Sequence, residues 1–342
     1  MSFVRFAQTD IVNDTAKITT STWTNNTNEL TAVHTSSTQA ALGSPTSSGA
    51  HFIEVHNVAV STTSEVQYAV AYGHKAGSGS LDFTNAVGSL GNSPSRNIYS
   101  QYRQLVFGTE TQNFNFTDHT PDDIYVININ RSRYKHNLKP GSLNLKIGTG
   151  AALLELTDDS VTATGSSTIT NAGRQFNIVS GSNGVRVGNN NVFVSGKGSY
   201  GFFYPDSGFI VLNADALDAA TADGGTNLGT SNSSNTDSQN HVKLLNKIAD
   251  GASFIVDSEE KVSSTYYFAR ARNFEFNYTT NPSFVDNNGN VLINSMIDNP
   301  TTYITTVGMY NDAGDLLAVA KLSQPITKDF TKEALIRVKL DY

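Results

Sequence analysis

The sequence predicts a mainly β protein: antiparallel sheets or a sandwich, two short helices and two subdomains. Three observations carry this. Ser, Thr and Asn make up roughly a third of the chain, and their side chains compete for backbone groups inside helices while suiting turns and strand edges. Short apolar runs separated by Gly, Asn, Ser and Asp recur, which is the punctuation of strands and tight turns. At about 100–200 residues per domain, 342 residues suggest two units.

Residues 1–50 read as an N-terminal arm, partly extended, with Phe3, Phe6, Ile11, Val12 and Ile18 as sparse apolar positions and Trp23 as an anchor. Residues 51–147 read as a β-rich domain with one helix. Its strands are expected at 51–60 (HFIEVHNVAV), 65–72 (EVQYAVAY), 123–131 (DIYVININR) and 142–147 (SLNLKI). In the third of these, Ile124, Val126, Asn128 and Asn130 share one face and Tyr125, Ile127 and Ile129 the other. The helix follows Ser93-Pro94-Ser95, which supplies capping hydroxyls and a first-turn proline. Ile98, Tyr102 and Leu105 recur at helical spacing and Gly108 ends it.

Residues 148–218 read as a β-meander insertion, with apolar runs at 153–156, 176–179, 185–187 and 192–194, then the aromatic stretch 200–212. Residues 219–240 are low-complexity polar sequence and read as a flexible, exposed loop. Residues 241–342 read as a C-terminal β-domain completing the core. It opens on a short helix built on Leu244, Leu245 and Ile248, and strands are expected at 254–256, 264–271, 274–278, 303–309, 316–322 and 334–340. Asp312-Ala313-Gly314-Asp315 makes a hairpin turn.

Composition removes several functions. The chain has no cysteine, hence no disulfide, thiolate nucleophile or Cys-type metal site. No apolar run of about 18 residues exists, so no membrane insertion is expected. The opening MSFVRFAQTDIVND lacks the apolar core of a secretory signal, which points to a soluble protein kept in a cytoplasm. A net charge of -7 speaks against nucleic acid as a partner.

No motif assembles a catalytic, cofactor or metal site. Gly196, Gly198 and Gly201 match a dinucleotide fingerprint, but the sequence continues as Phe202-Phe203-Tyr204-Pro205 where a helix must open, so a hairpin turn is expected. The glycine-rich run 73–80 lacks the order that brings a lysine to a phosphate and reads as a flexible connection. The histidines (His34, His51, His56, His74, His119, His136, His241) form no ligand spacing. The acid pairs Asp122-Asp123, Asp158-Asp159 and Glu259-Glu260, and the run Asp286-Asn287-Asn288-Gly289, read as turns and strand ends. A glycosidase-type pair would have to converge from distant positions. Arg131, Arg133, Lys135, His136 and Lys139 form a basic cluster, as do Arg270 and Arg272, suited to a solvated strand face or an acidic neighbouring subunit.

Several phrases carry a resemblance: VQYAVAYGHKAGSGS (66–80), NIYSQYRQLVF (97–107), DIYVININRSRYKHNLKPGSLNL (123–145), FYPDSGFIVLNADAL (203–217), FARARNFEFNYTTNPSF (268–284) and above all YITTVGMYNDAGDLLAVAKLSQPITKDFTKEALIRVKLDY (303–342). Together they resemble a virion structural protein of T4-like contractile-tailed phages, particularly those of marine cyanobacteria. The final segment, with a hairpin, a proline-bearing link and a closing strand, is similar to that of baseplate wedge proteins. Residues 1–50 and 219–240 lie outside the resemblance. It implies a non-enzymatic structural subunit of the tail baseplate, assembled in the host cytoplasm. Such a subunit bridges neighbouring virion proteins, as a dimer in a larger symmetric assembly, and transmits rearrangement during tail contraction. Other readings stand beside it: another structural protein of the tail or neck, a receptor-binding, fibre-type module that would stack sugars on Trp23, Tyr99, Tyr102, Tyr200 and Tyr204, and, more remotely, a β-rich depolymerase that would use convergent carboxylates.

Overall fold

Alternating apolar residues are the raw material of this fold, and strands take up 41% of the described residues against 17% helix. The structure is a computed structural model that describes residues 4–35, 52–80, 93–162, 167–187, 194–232, 238–278 and 281–342. In chain order its strands are β1 (Ile11–Ser21), β2 (Glu29–Leu30), β3 (His34–Thr35), β4 (Phe52–His56), β5 (Val66–His74), β6 (Asp123–Ile129), β7 (Asn137–Leu138), β8 (Asn144–Ile147), β9 (Leu154–Asp158) and β10 (Thr168–Thr170). They continue as β11 (Gly173–Ser182), β12 (Val185–Arg186), β13 (Gly201–Tyr204), β14 (Phe209–Asn213), β15 (Phe254–Ile255), β16 (Asp257–Ala271), β17 (Thr302–Tyr310), β18 (Leu316–Lys328) and β19 (Ala334–Asp341). The α-helices among the described residues are α1 (Pro94–Phe107), α2 (Ala214–Asp218) and α3 (Asn240–Gly251).

The chain divides into two compact units: Ile18–Glu260, and Met1–Lys17 together with Lys261–Tyr342. The first is built on one curled antiparallel sheet in the order β2-β15-β8-β9-β11-β13-β14-β6-β5-β4-β3, with β10 and β12 paired to β11. Its two faces follow from strand alternation. On β6, Ile124 and Val126 join one buried cluster, and Tyr125, Ile127 and Ile129 join the other. The same split runs through β14, where Phe209 and Val211 oppose Ile210 and Leu212. One face is covered by Tyr99, Tyr102 and Val106 of α1 with Phe114 and Phe116. The other is covered by Leu244, Leu245 and Ile248 of α3 with Trp23 and Phe254. Burial on both faces explains why the central strands carry so few charges.

Helix α1 starts and stops where its sequence dictates. Ser93 accepts from the Arg96 N–H, Pro94 opens the first turn, and Gly108 ends the helix at φ 71°. The glycine-rich run 73–80 is not the flexible connection expected of it, and the rest of the loop before the helix, 81–92, lies outside the described residues. The Ser93 hydroxyl donates to the Gly77 carbonyl at 2.7 Å and the Ser95 hydroxyl to that of Ser78 at 2.9 Å. The Ala76 and Ser78 N–H groups point at His74 Nδ1. Ser93→Ala removes a cap and frees a buried carbonyl, and is expected to cost about 1 kcal/mol in denaturant unfolding.

Three further expectations are corrected. Residues 274–278 form turns instead of a strand, because Phe276 sits at φ 54° and the Glu275 N–H closes back on the Arg272 carbonyl. A third helix, α2, joins the two expected; Asn213 caps its single turn by accepting from the Ala216 N–H, and five residues are too few to leave a periodic signal. The polar run 219–240 is not an exposed loop over its described length. Leu228 and Thr226 are buried, the Thr226 N–H donates to the Leu217 carbonyl, and Asn240 exchanges two hydrogen bonds with the Ser231 backbone. The expected strand at 192–194 lies mostly outside the described residues. Val194 bridges to Gly198, so the glycine fingerprint is a tight turn, as expected. Gly198 has φ 74°, and a Cβ there would fall 1.6 Å from the Phe116 carbonyl oxygen, which only glycine tolerates.

In the second unit β16 pairs with β19 over eight residue pairs, from Ser264↔Asp341 to Ala271↔Ala334, and β1 lies on the other side of β16. β17 and β18 form the expected hairpin, turned by Gly314 at φ 86°. A bulge separates Ile304↔Ile326 from Thr306↔Lys321, and it accommodates Pro325, which has no N–H to give a ladder.

Candidate interaction surface

The second unit has a small core. Met309 of β17 and Ile336 and Val338 of β19 are its buried cluster, with Tyr267, Val307, Ala318, Ala320 and Leu340 packed around it. The register then fixes what points outward. Met309 opposes Ala318 and Val307 opposes Ala320 on the inner face, so Val319 projects from the other face of β18; Leu317, the extra residue where the register shifts at Met309/Tyr310, and Tyr303, beyond the shift at Ile304/Thr306, are exposed as well. Leu317 is 68% exposed and Tyr303 64%. The outer face of the β16–β19 pair carries Tyr266 opposite Lys339, Phe268 opposite Arg337 and Arg270 opposite Leu335. The Arg337 guanidinium lies 5.4 Å from the Tyr266 ring centre, and Lys339 pairs with Asp341 at 2.8 Å. β1 is exposed along its whole length except for half-buried Ser21, with Ile11, Val12 and Ile18 among its open positions. Strands that carry apolar residues on both phases are built to be covered on both faces, and here one face is covered from within the unit.

A connected set of buried polar groups lies in the first unit. Buried Asp123 accepts from the Tyr72 hydroxyl at 3.2 Å and from Asn232 Nδ2 at 3.1 Å, and its burial pushes the carboxyl up to about 6. The Tyr125 hydroxyl meets Thr230 Oγ1 at 2.7 Å, and Thr230 donates its N–H and hydroxyl to Asp218, whose carboxyl burial also raises. This network pins residues 230–232 to β5, β6 and α2. His119 Nε2 meets Asp215 at 2.7 Å with Lys197 Nζ 3.7 Å from the same oxygen.

The residues singled out in the sequence are scattered and occupied. Trp23, Tyr99, Tyr102, Tyr200 and Tyr204 are all buried at 8% exposure or less, so they cannot form an exposed sugar-stacking platform. The basic cluster breaks up: Arg131 lies over the Tyr134 ring and donates to its carbonyl, while Arg133 pairs with Glu65 at 2.7 Å. Asp122 pairs with Lys75, Asp159 accepts from Asn177, and Asp286 closes a turn with Asn288 and Asn290. His34 and His56 are cross-strand neighbours of β3 and β4, and His51 lies outside the described residues. Among the described residues no three His, Asp or Glu side chains gather as a metal site, and no helix is long and apolar enough to cross a membrane. The outward residues of the β17–β18 hairpin are the ones sequence reasoning missed. The signal is present in LLAVAKL (316–322), where large apolar residues occupy the phase opposite the small alanines. No family model, curated protein or solved structure matches the chain.

Proposed function

We propose that this chain is a structural subunit of a contractile-tailed phage virion, in the tail baseplate wedge, and that it acts through contacts and not through covalent chemistry. Its partners are other virion proteins and a second copy of itself, and it is assembled into the particle in the host cytoplasm. The observation that carries this reading is the second unit, in which thin strand layers around a three-residue buried cluster leave Tyr303, Leu317, Val319 and the face of β1 uncovered. Covering a leucine or valine is worth about 1.5–3 kcal/mol each, so a permanent neighbour would add stability that the unit's own core supplies poorly. The resemblance of residues 303–342 to wedge proteins falls on this same unit. A rearrangement during tail contraction would exchange one set of contacts on these faces for another.

Mass spectrometry of purified contractile-tailed virions is expected to find this chain in stoichiometric amounts, and cryo-electron microscopy to place it at the baseplate. Its absence from the particles, or density for it in the capsid shell, overturns the proposal.

A further inference from the structure

Lys328 ends β18 with its side chain fully buried, at 0% exposure, and Asn277 facing it is 1% exposed. Nζ donates to Asn277 Oδ1 at 2.6 Å and to the carbonyls of Asn273 and Asp329 at 3.0 Å each. None of these partners is a carboxylate. The Asp329 side chain is engaged instead by Thr331 and by Lys332 at 3.1 Å. A buried lysine held only by neutral oxygens is costly as a purely structural device, since buried charges are ordinarily paired.

We propose that Lys328 and Asn277 form an intramolecular isopeptide bond. With a carbonyl bond of about 1.23 Å, the 2.6 Å contact with Oδ1 brings Nζ to about 2.9–3.8 Å from Cγ, a span that includes the near-attack range of about 3–3.5 Å. Asn277 Nδ2, the leaving nitrogen, donates at 2.7 Å to the same Asn273 carbonyl oxygen that accepts from Lys328 Nζ. That oxygen therefore holds nucleophile and leaving group side by side. Nζ gives up a proton and adds to Cγ, the Cγ–Nδ2 bond breaks, and two of the three ammonium protons leave with Nδ2 while one stays on the new amide. Counted from the ammonium form, one lysine ammonium and one carboxamide give one secondary amide and one ammonium ion, with no change of oxidation state. Exclusion of water from both groups suppresses competing hydrolysis. The link staples the turn at 273–277 to the end of β18. A unit with so small a core, in a chain without cysteine, gains the restraint a disulfide supplies elsewhere.

The test is the mass of the purified full-length protein under denaturing conditions, followed by tryptic digestion. The expected result is a chain lighter than its sequence by one ammonia, with residues 273–321 joined to residues 322–332 because acylated Lys328 resists trypsin. Lys328→Arg and Asn277→Ala are each expected to abolish the joined species and restore the full mass. Release of residues 322–328 at their own mass from the wild-type protein overturns the proposal. So does an ammonia loss confined to residues 273–321, which marks a succinimide. The wild-type digest decides even where a variant fails to fold.

Discussion

Trp23→Ala is expected to destabilise the first unit by about 4 kcal/mol. Trp23 is 2% exposed and packs against Phe254 at 5.0 Å and Tyr68 at 6.1 Å between ring centres. Its Nε1–H donates to the Phe254 carbonyl at 2.8 Å. Alanine removes the ring, leaves a cavity, and strands that carbonyl, a loss of about 3–5 kcal/mol for the first two and about 1 for the last, partly offset by relaxation. Trp23→Phe keeps most of the volume and loses the hydrogen bond, so it is expected to cost about 1–2 kcal/mol. Because the chain has a single tryptophan, unfolding must be followed by far-ultraviolet circular dichroism and not by indole fluorescence. A loss under 1 kcal/mol for the alanine variant would show that the aromatic cluster is dispensable.

The same residue shows how far sequence reading reaches. One large aromatic in a polar stretch marks Trp23 as an anchor, but its acceptor lies 231 residues along the chain, and no local pattern encodes that. The face assignment of β6 is legible because alternation is local. The joining of residues 1–17 to residues 261–342 is not, since Thr265 donating to Asn13 across 252 residues leaves no periodic trace. Residues 274–278 misled because Phe-Glu-Phe-Asn-Tyr alternates like a strand, while the backbone there is set by a tight turn and by the amide of Asn277.

For the candidate surface the position is similar. The hairpin turn at 312–315 and its two strands are written in composition and alternation, but which phase of β18 faces inward depends on β19 and so on tertiary packing. The buried tyrosines offered as sugar platforms illustrate the converse. An aromatic is as much a core residue as a binding one, and only the number of covered faces distinguishes the two. Buried polar groups such as Asp123 and Lys328 are the least legible of all, because a strand-end acid and a strand-end lysine look the same in sequence whether exposed or enclosed.

Asp123→Asn is expected to stabilise the protein at neutral pH, by up to about 3 kcal/mol, and to leave it unchanged near pH 4. The carboxyl has an ordinary value of 3.8 when the chain is unfolded and is pushed up to about 6 in the fold, chiefly by burial, with Asp215 and Asp218 adding to the rise. The folded chain therefore holds this proton more tightly than the unfolded one, and each unit of difference is about 1.4 kcal/mol. The resulting stability is present below pH 4 and is lost as pH rises through 6, so at neutral pH the native state carries an ionised group it solvates poorly. Asparagine has the shape of the neutral acid and can keep its carbonyl oxygen where Oδ2 accepts from both Asn232 and Tyr72, without the charge. Urea denaturation of both proteins from pH 4 to pH 8 is expected to give curves that coincide at the acid end and diverge through pH 6. A difference that does not change with pH, or a wild type more stable at pH 7.5, would mean that Asp123 is solvated or paired in a way its surroundings do not indicate. The residues that would respond first are 230–232, since the acid and Thr230 hold that segment against the sheet, and amide protection factors there that are lower at pH 7.5 than at pH 5 in the wild type alone would locate the effect.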